Sequence, residues 1–277
     1  MFVSFLISGM NYQNILITGG TSGLGFELAK ICCSHKYNVW ITGRSLKKGL
    51  PEGMKIHFLR IDFSDLNQTR RVIKEIIDQG IRFDIIVNNA GVLGPVSFCR
   101  TVDGFEYTFQ VNFLTHLLID DMIISASEPG HPVKLAVVTS PIYRFVSPDF
   151  KMPDEATYEP YTVYALSKYY LLLSADYLKK KHIDKDIRLI NFNPGVFRSG
   201  IYRVKQKWFQ VLYKIAAPFM RSPALVALKL FELLESNSVS EGIIYRSRYS
   251  KGKQGPVLTT EAEDFLLACE QAVKIMR

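Results

Sequence analysis

Tyr164 and Lys168 stand four residues apart in "YALSK", a spacing that places both side chains on one face of a helix. An ammonium close to a phenol favours the phenolate and lowers a pKa that is ordinarily about 10, which makes such a tyrosine a usable proton donor or acceptor near neutral pH. The spacing occurs three times, since Tyr177/Lys181 and Tyr249/Lys253 share it. Tyr164/Lys168 is singled out by the serine that precedes the lysine and by its place between the fifth and sixth expected strands. Two more polar residues sit where chemistry could use them. Ser140 ends the apolar run "AVVTS", at the carboxyl end of a strand where its hydroxyl could bond a substrate oxygen, or simply cap the next turn; Ser147 is the fallback. Asn112 lies inside a helical pattern, where asparagine has poor propensity and needs a reason, a buried backbone group being one.

Alternating elements must position these groups. Strand patterns fall near 14–18, 37–42, 56–61, 83–88, 133–139 and 186–192, with a weaker one near 242–246. Helical spacing runs near 23–35, 66–79, 102–126, 160–182, 223–235 and 260–275. Ser222 before Pro223 reads as a helix start, Thr260 with Glu263 as a capping box, and Ser64 as another cap. Such alternation predicts an α/β fold, a doubly wound parallel sheet of Rossmann type with helices on both faces. No Pro- or Gly-rich linker divides the 277 residues, so a single domain is expected over 1–277.

The first strand runs into "ITGGTSGLGFELAK". A glycine-rich turn between strand and helix lets backbone approach a pyrophosphate, while the helix N-terminus offers free N–H donors and partial positive charge. Thr18-Gly19-x-x-x-Gly23-x-Gly25 is that kind of turn, though not the GxGxxG form.

This spacing resembles the short-chain dehydrogenase/reductase family, and further motifs follow in that family's order: "NNAG" at 88–91, "QVNFLTHLL" at 110–118, "AVVTS" ending at Ser140, "YALSK" at 164–168 and "NPGVFRS" at 193–199. The resemblance is firm over about 13–200. It implies a catalytic set of Asn112, Ser140, Tyr164 and Lys168, with serine orienting the substrate oxygen, tyrosine moving the proton, lysine holding the nicotinamide ribose and asparagine supporting a proton relay. It implies that Thr18, Gly19, Thr21, Ser22, Gly23, Leu24 and Gly25 surround the cofactor phosphates. Asp62 would lie beside the adenine, Asn89, Ala90 and Gly91 would supply close backbone, and Pro194, Gly195 and Ser199 would flank the nicotinamide. Asn89 could equally stabilise its turn. Pro141 departs from the small residue usual after the family's serine. Relatives that prefer NAD carry an acidic residue after the second strand; here Gly43 and Arg44 stand there, and an arginine pairs with the 2′-phosphate of NADP.

The 23 residues between Ser140 and Tyr164 resemble the retinol-dehydrogenase-like branch, which implies a lipophilic aldehyde, ketone or alcohol as substrate. Residues 200–222 set Trp208, Val211, Leu212, Ile215 and Phe219 at helical spacing among basic residues. They read as a lid over a lipophilic pocket, as an interfacial helix contacting anionic lipid, or as a packed helix. Tyr143, Phe145, Tyr158 and Tyr161 are candidates for the same pocket.

Composition sets the bounds. A hydrophobic fraction of 48% supports a sizeable core, and no apolar run reaches the length of a spanning helix, so a soluble cytoplasmic protein, peripheral to a membrane if 200–221 is interfacial, is expected. Four cysteines and five histidines show no metal-ligand spacing, so no metal is expected. A net charge of +8 suits an anionic cofactor, a lipid surface or nucleic acid; the motifs favour the cofactor, and no nucleic-acid partner is expected. The run 179–188 reads as a solvated helix end. A homo-oligomer is compatible with the resemblance. The competing reading is an NADP-binding sensor without turnover.

Overall fold

The computed structural model describes residues 12–46, 53–195, 197, 221–247 and 249–275. Ser199 and most of the 200–222 segment, with Trp208, Val211, Leu212, Ile215 and Phe219, lie outside the described residues.

Eight strands form one sheet: β1 (Asn14–Ile17), β2 (Asn38–Gly43), β3 (Ile56–Arg60), β4 (Ile85–Asn88), β5 (Val133–Val138), β6 (Ile187–Asn193), β7 (Ile243–Arg246) and β8 (Tyr249–Gln254). Their order is β3-β2-β1-β4-β5-β6-β7-β8. Neighbours from β3 through β7 are parallel, and β8 alone runs antiparallel to β7. The chain order reverses direction between β1 and β4, and this opens a crevice at the carboxyl ends of those strands.

Helices cover both faces: α1 (Gly23–Ser34), α2 (Leu66–Asp78), α3 (Tyr107–Phe109), α4 (Thr115–Ala126), α5 (Pro160–Lys181), α6 (Pro223–Glu235) and α7 (Thr260–Ile275). Burial on two faces is why the strands read as continuous apolar runs. In β1, Ile15 and Ile17 pack with Leu24 and Leu28 of α1 and Val226 and Leu230 of α6. Leu16, pointing the other way, joins the core of α2, α4, α5 and α7.

The seven strands expected from the sequence are all present. The eighth was missed because "YSKGKQ" carries no apolar alternation; its pairing comes from β7. The helix expected over 102–126 begins at Tyr107, since residues 101–106 turn at Gly104 (φ +84°) and the Glu106 carboxylate accepts the Phe109 N–H at 2.7 Å. Between α3 and α4 the backbone widens into one π-helical turn, Gln110–Leu114. Ser222 accepts the Leu225 N–H at 3.3 Å and starts α6 as expected. Two other caps shift by one residue. Thr259 rather than Thr260 caps α7, its hydroxyl accepting the Ala262 N–H at 3.3 Å. Asp65 rather than Ser64 caps α2, while Ser64 donates to Asp62.

The basic run after 179 is more than a solvated helix end. Lys181 pairs with both Asp121 of α4 and Glu270 of α7, Lys180 pairs with Glu263, and His182 bonds Asp121 at 2.8 Å. Burial opposes ionisation of Asp121, but bonds from His182 and Lys181 outweigh it and hold the carboxyl down at about 2. Of the four cysteines, Cys32 and Cys269 are buried and burial raises each thiol to about 12; Cys33 is half-buried and Cys99 is exposed. No described helix is long and apolar enough to cross a membrane.

Aromatic packing seats α7. The Phe265 ring lies 4.7 Å from Tyr170 of α5, 6.1 Å from Phe150 and 6.4 Å from Phe109, next to the π-turn. Phe265→Ala is expected to cost about 3–5 kcal/mol in urea unfolding, the range for emptying an aromatic site in a packed core; a loss under about 1 kcal/mol would mean that α7 is not part of the cooperative unit.

Candidate active site

The glycine-rich turn is the first component. Gly19 (φ +64°) and Gly23 (φ +58°) occupy backbone that other residues rarely adopt. Gly19 and Gly25 are also fixed by packing. A Cβ on Gly25 would lie 2.5 Å from Asn89 Nδ2 and 2.8 Å from the Gly19 carbonyl, and one on Gly19 would lie 2.9 Å from Ala90 Cα. Gly23 meets nothing within 4 Å, so it is the glycine of the motif that opens onto free space. Ser22 precedes α1, yet its hydroxyl makes no capping bond to the helix it starts. Open space at Gly23, an uncommitted hydroxyl and the start of a twelve-residue helix together suit an anionic group such as a cofactor phosphate. Leu24 is buried in the core and can offer only backbone, whereas Thr21 stays half-buried against Gly43.

Thr18 is fully buried and works from beneath. Its hydroxyl accepts the N–H groups of Asn89 and Ala90, each at 2.9 Å, and lies 3.0 Å from His116 Nε2. Asn89 returns the contact, donating from Nδ2 to the Thr18 carbonyl at 2.7 Å. The Asn89 side chain therefore stabilises the turn, the alternative open at the level of sequence.

The second component surrounds Lys168. Its Nζ is buried and donates to the Val138 carbonyl at 3.3 Å, and it forms no ion pair with any described residue. Desolvation lowers the ammonium to about 8. A Cβ on Gly91 would stand 3.1 Å from Nζ and 3.4 Å from Asn112 Oδ1, so the bare backbone of "NNAG" is what lets lysine, asparagine and loop converge. Asn112 sits in the π-turn, and its amide is fully used: Oδ1 accepts the Val92 N–H at 2.7 Å, and Nδ2 donates to the Val92 carbonyl at 2.9 Å and to Ser167 Oγ at 3.1 Å. Ser167 in turn donates to the Tyr164 carbonyl at 2.7 Å. Tyr164 is half-buried, one turn before Lys168 on α5.

Ser140 is half-buried two residues beyond the carbonyl that holds Lys168, and its side chain does not cap the short 3-10 helix Pro141–Phe145 that follows. Ser147 is exposed. Arg44 is exposed after β2 and forms no ion pair with described residues. Asp62 is half-buried, and its Oδ1 accepts from both the N–H and the hydroxyl of Ser64. Pro194 is buried, and its carbonyl takes the Ser247 hydroxyl at 2.6 Å; Gly195 (φ +69°) turns the chain beyond β6. The four aromatic candidates do not gather. Tyr143 lines an open cleft of about 580 Å³ with Arg144, Tyr169 and Lys253, Phe145 and Tyr161 are exposed, and Tyr158 donates to the Pro95 carbonyl at 2.8 Å. Among the described residues no cluster of His, Cys, Asp or Glu is placed to hold a metal ion.

Sequence reasoning passed over Ser167 as a connector, and His116 and Asp120 altogether. The signal available was their spacing: both are polar and four apart, on one face of a largely apolar helix. Asp120 is buried and accepts from Asn88 Nδ2 at 2.6 Å, leaving Asp120 Oδ1 and Asn88 Oδ1 without partners. Desolvation raises this carboxyl to about 8, and a proton there supplies the donor that neither oxygen carries. A group raised in the folded state retains its full contribution below the unfolded pKa near 4 and loses it as pH climbs through about 8. Asp120→Asn, which pairs with Asn88 at any pH, is expected to match the parent near pH 4 and to melt a few degrees higher at pH 8; parallel melting curves across that range would show that Asp120 does not titrate there.

The family model for short chain dehydrogenases matches residues 13–146. The oxidoreductase calI of Penicillium decumbens is 30% identical over 201 residues, 66% of this chain and 57% of that one. The polyprenol dehydrogenase of Danio rerio is 28% identical over 260 residues, covering 86% of this chain and 75% of its own. The chain thus spans little more than half the length of the first of these relatives. In solved structures, a short chain dehydrogenase from Leptospira borgpetersenii with bound NAD+ superposes with a TM-score of 0.63 at 20% identity, covering 86% of this chain and 91% of that one. Fold, motif order and sequence matches agree, and the chain belongs to the short-chain dehydrogenase/reductase family.

Proposed function

We propose that the protein is an oxidoreductase that uses a nicotinamide dinucleotide, NADP(H) in preference to NAD(H), to interconvert a carbonyl and an alcohol on a lipophilic molecule. The observation that carries this reading is Lys168: a cation buried without a counter-ion among the described residues, one helical turn from a half-exposed tyrosine. Burying an unpaired charge is costly for folding, and such a cost is retained where chemistry uses it.

The residues present suit the cofactor. Open space at Gly23, the free hydroxyl of Ser22 and the start of α1 would receive the pyrophosphate, Arg44 the 2′-phosphate, and Asp62 the adenine side. The backbone of Ala90 and Gly91, with Tyr164, Lys168, Pro194 and Gly195, would face the nicotinamide half. When bound, the nicotinamide supplies or accepts the hydride. The chain's own part is orientation and proton supply. In the reductive direction Ser140 Oγ and Tyr164 Oη donate hydrogen bonds to the substrate oxygen, and Tyr164 Oη releases its proton to it. The ammonium of Lys168 favours the phenolate left behind, so charge forms where charge is already compensated. Asn112 holds the loop and Ser167 behind that pair, supporting the relay that returns the proton. Oxidation of an alcohol runs these steps backwards. The polyprenol dehydrogenase relative supports a lipophilic substrate, and the position of 200–221 as lid or membrane contact belongs to the same proposal.

The test is NADPH consumption with a panel of long-chain aldehydes, retinal and steroid ketones. Tyr164→Phe is expected to lower kcat by at least about 100-fold, the weight of a lost general acid, while NADPH affinity stays within about twofold; unchanged turnover would remove Tyr164 from the mechanism. Arg44→Ala is expected to weaken NADPH binding by about tenfold or more, as for a lost charged hydrogen bond, and to leave NADH untouched. Equal effects on both nucleotides would contradict the assignment of Arg44.

A further inference from the structure

We propose that His116 is a positioning residue: its ring joins the hydroxyl of Thr18, under the glycine-rich turn, to the main-chain carbonyl of Asn112, and so fixes the cofactor cradle against the helix that carries Asn112. The inference rests on the functional reading above, and it concerns a residue that the reaction itself does not touch.

The bonds form a closed circuit. His116 Nδ1 lies 3.1 Å from the Asn112 carbonyl and Nε2 lies 3.0 Å from Thr18 Oγ1. Thr18 Oγ1 accepts from the backbone of Asn89 and Ala90, at one end of the loop that leaves β4. The Asn112 side chain binds both backbone groups of Val92, at the other end. Two clamps thus grip residues 89–92, and the imidazole is the strut between them. Gly91, midway, is the residue whose missing side chain leaves room for Lys168 Nζ.

The tautomer follows from the partners. A carbonyl oxygen can only accept, so Nδ1 carries the hydrogen, Nε2 is a bare acceptor, and the Thr18 hydroxyl donates to it. That hydroxyl then has its lone pairs on Asn89 and Ala90 and its hydrogen toward His116 Nε2 at 3.0 Å, with the Val87 carbonyl at 3.2 Å as a second acceptor. The ring is fully buried, and the edge-on ring of Phe63 stands 5.2 Å from it. Burial, reinforced by the charge on Lys168, lowers the imidazole to about 3, so this arrangement holds throughout the neutral range. Without the strut, Thr18 and Asn112 each keep their own clamp, but nothing sets the distance between them, and residues 89–91 lose their register with Lys168.

The experiment measures NADPH affinity by nucleotide fluorescence in the full chain, with thermal melting alongside. Asparagine reproduces the reach of Nδ1 and glutamine that of Nε2. His116 and Asn112 share one continuous helical run, so the bond that joins separate elements is the one to Thr18. His116→Gln, which keeps that bond, is expected to bind NADPH within about twofold of wild type, whereas His116→Asn and His116→Phe weaken it at least about fivefold, the smallest loss expected from a buried group left unpaired. In Thr18→Val the strut has already lost its partner, so adding His116→Phe should weaken binding no further. The variants separate positioning from general destabilisation, because a merely structural role predicts equal losses for His116→Gln and His116→Asn. Equal losses, no loss, or additive losses with Thr18→Val would each overturn the proposal. If wild-type protein binds neither NADPH nor NADH, the functional reading fails first and this inference falls with it.

Discussion

The site depends on one requirement: backbone that leaves the sheet in the interior must still have its N–H and C=O groups paired. Residues 89–92 leave the end of β4 half-buried and with no strand beside them. Side chains supply the partners, Thr18 for Asn89 and Ala90 and Asn112 for Val92. Because those side chains come from the residue that follows β1 and from the π-turn before α4, satisfying the loop also locks the first βα turn to the helix across the crevice. The same bonds that make the fold self-consistent bring Gly91, Asn112 and Lys168 together.

Desolvation then sorts the ionisable groups of this interior. It lowers Lys168 to about 8 and His116 to about 3, and raises Asp120 to about 8. At pH 7 the histidine is neutral, the aspartic acid is mostly protonated, and the lysine is the member of the three that stays charged. Among the described residues no carboxylate pairs with that positive charge, which is the electrostatic setting that the proposed proton transfer requires.

Rigidity comes from outside the crevice. Phe265 of α7 packs against Tyr170 and Phe109, and the charges of Asp121, Lys181, His182 and Glu270 tie α4, α5 and α7 into one layer. The layer holds the π-turn between helices that cannot move independently. On the opposite face α1 and α6 share a separate core, so the glycine-rich turn is braced from its own side. Of its glycines, Gly19 and Gly25 are set by contact with Asn89, Ala90 and the turn's own backbone, and Gly23 is the one that leaves space for a ligand.

The sequence by itself determined the alternation of strands and helices, the parallel sheet and the glycine turn, and through the order of its motifs the family. These are properties of local pattern: apolar runs buried on both faces, helical spacing, and residues whose conformational freedom is written in their type. It also placed Tyr164 and Lys168 one turn apart, because four residues span a turn whatever the surroundings. Only the tertiary structure decided which residues share the crevice and what each bond costs. His116 and Asp120 were invisible as partners because Thr18, just after β1, and Asn88, ending β4, lie 98 and 32 residues away. "YSKGKQ" became a strand because β7 selected it and not its own pattern. Burial, which turns an ordinary lysine into a lone interior charge, belongs to no stretch of sequence; it arises when separate elements close over the same point.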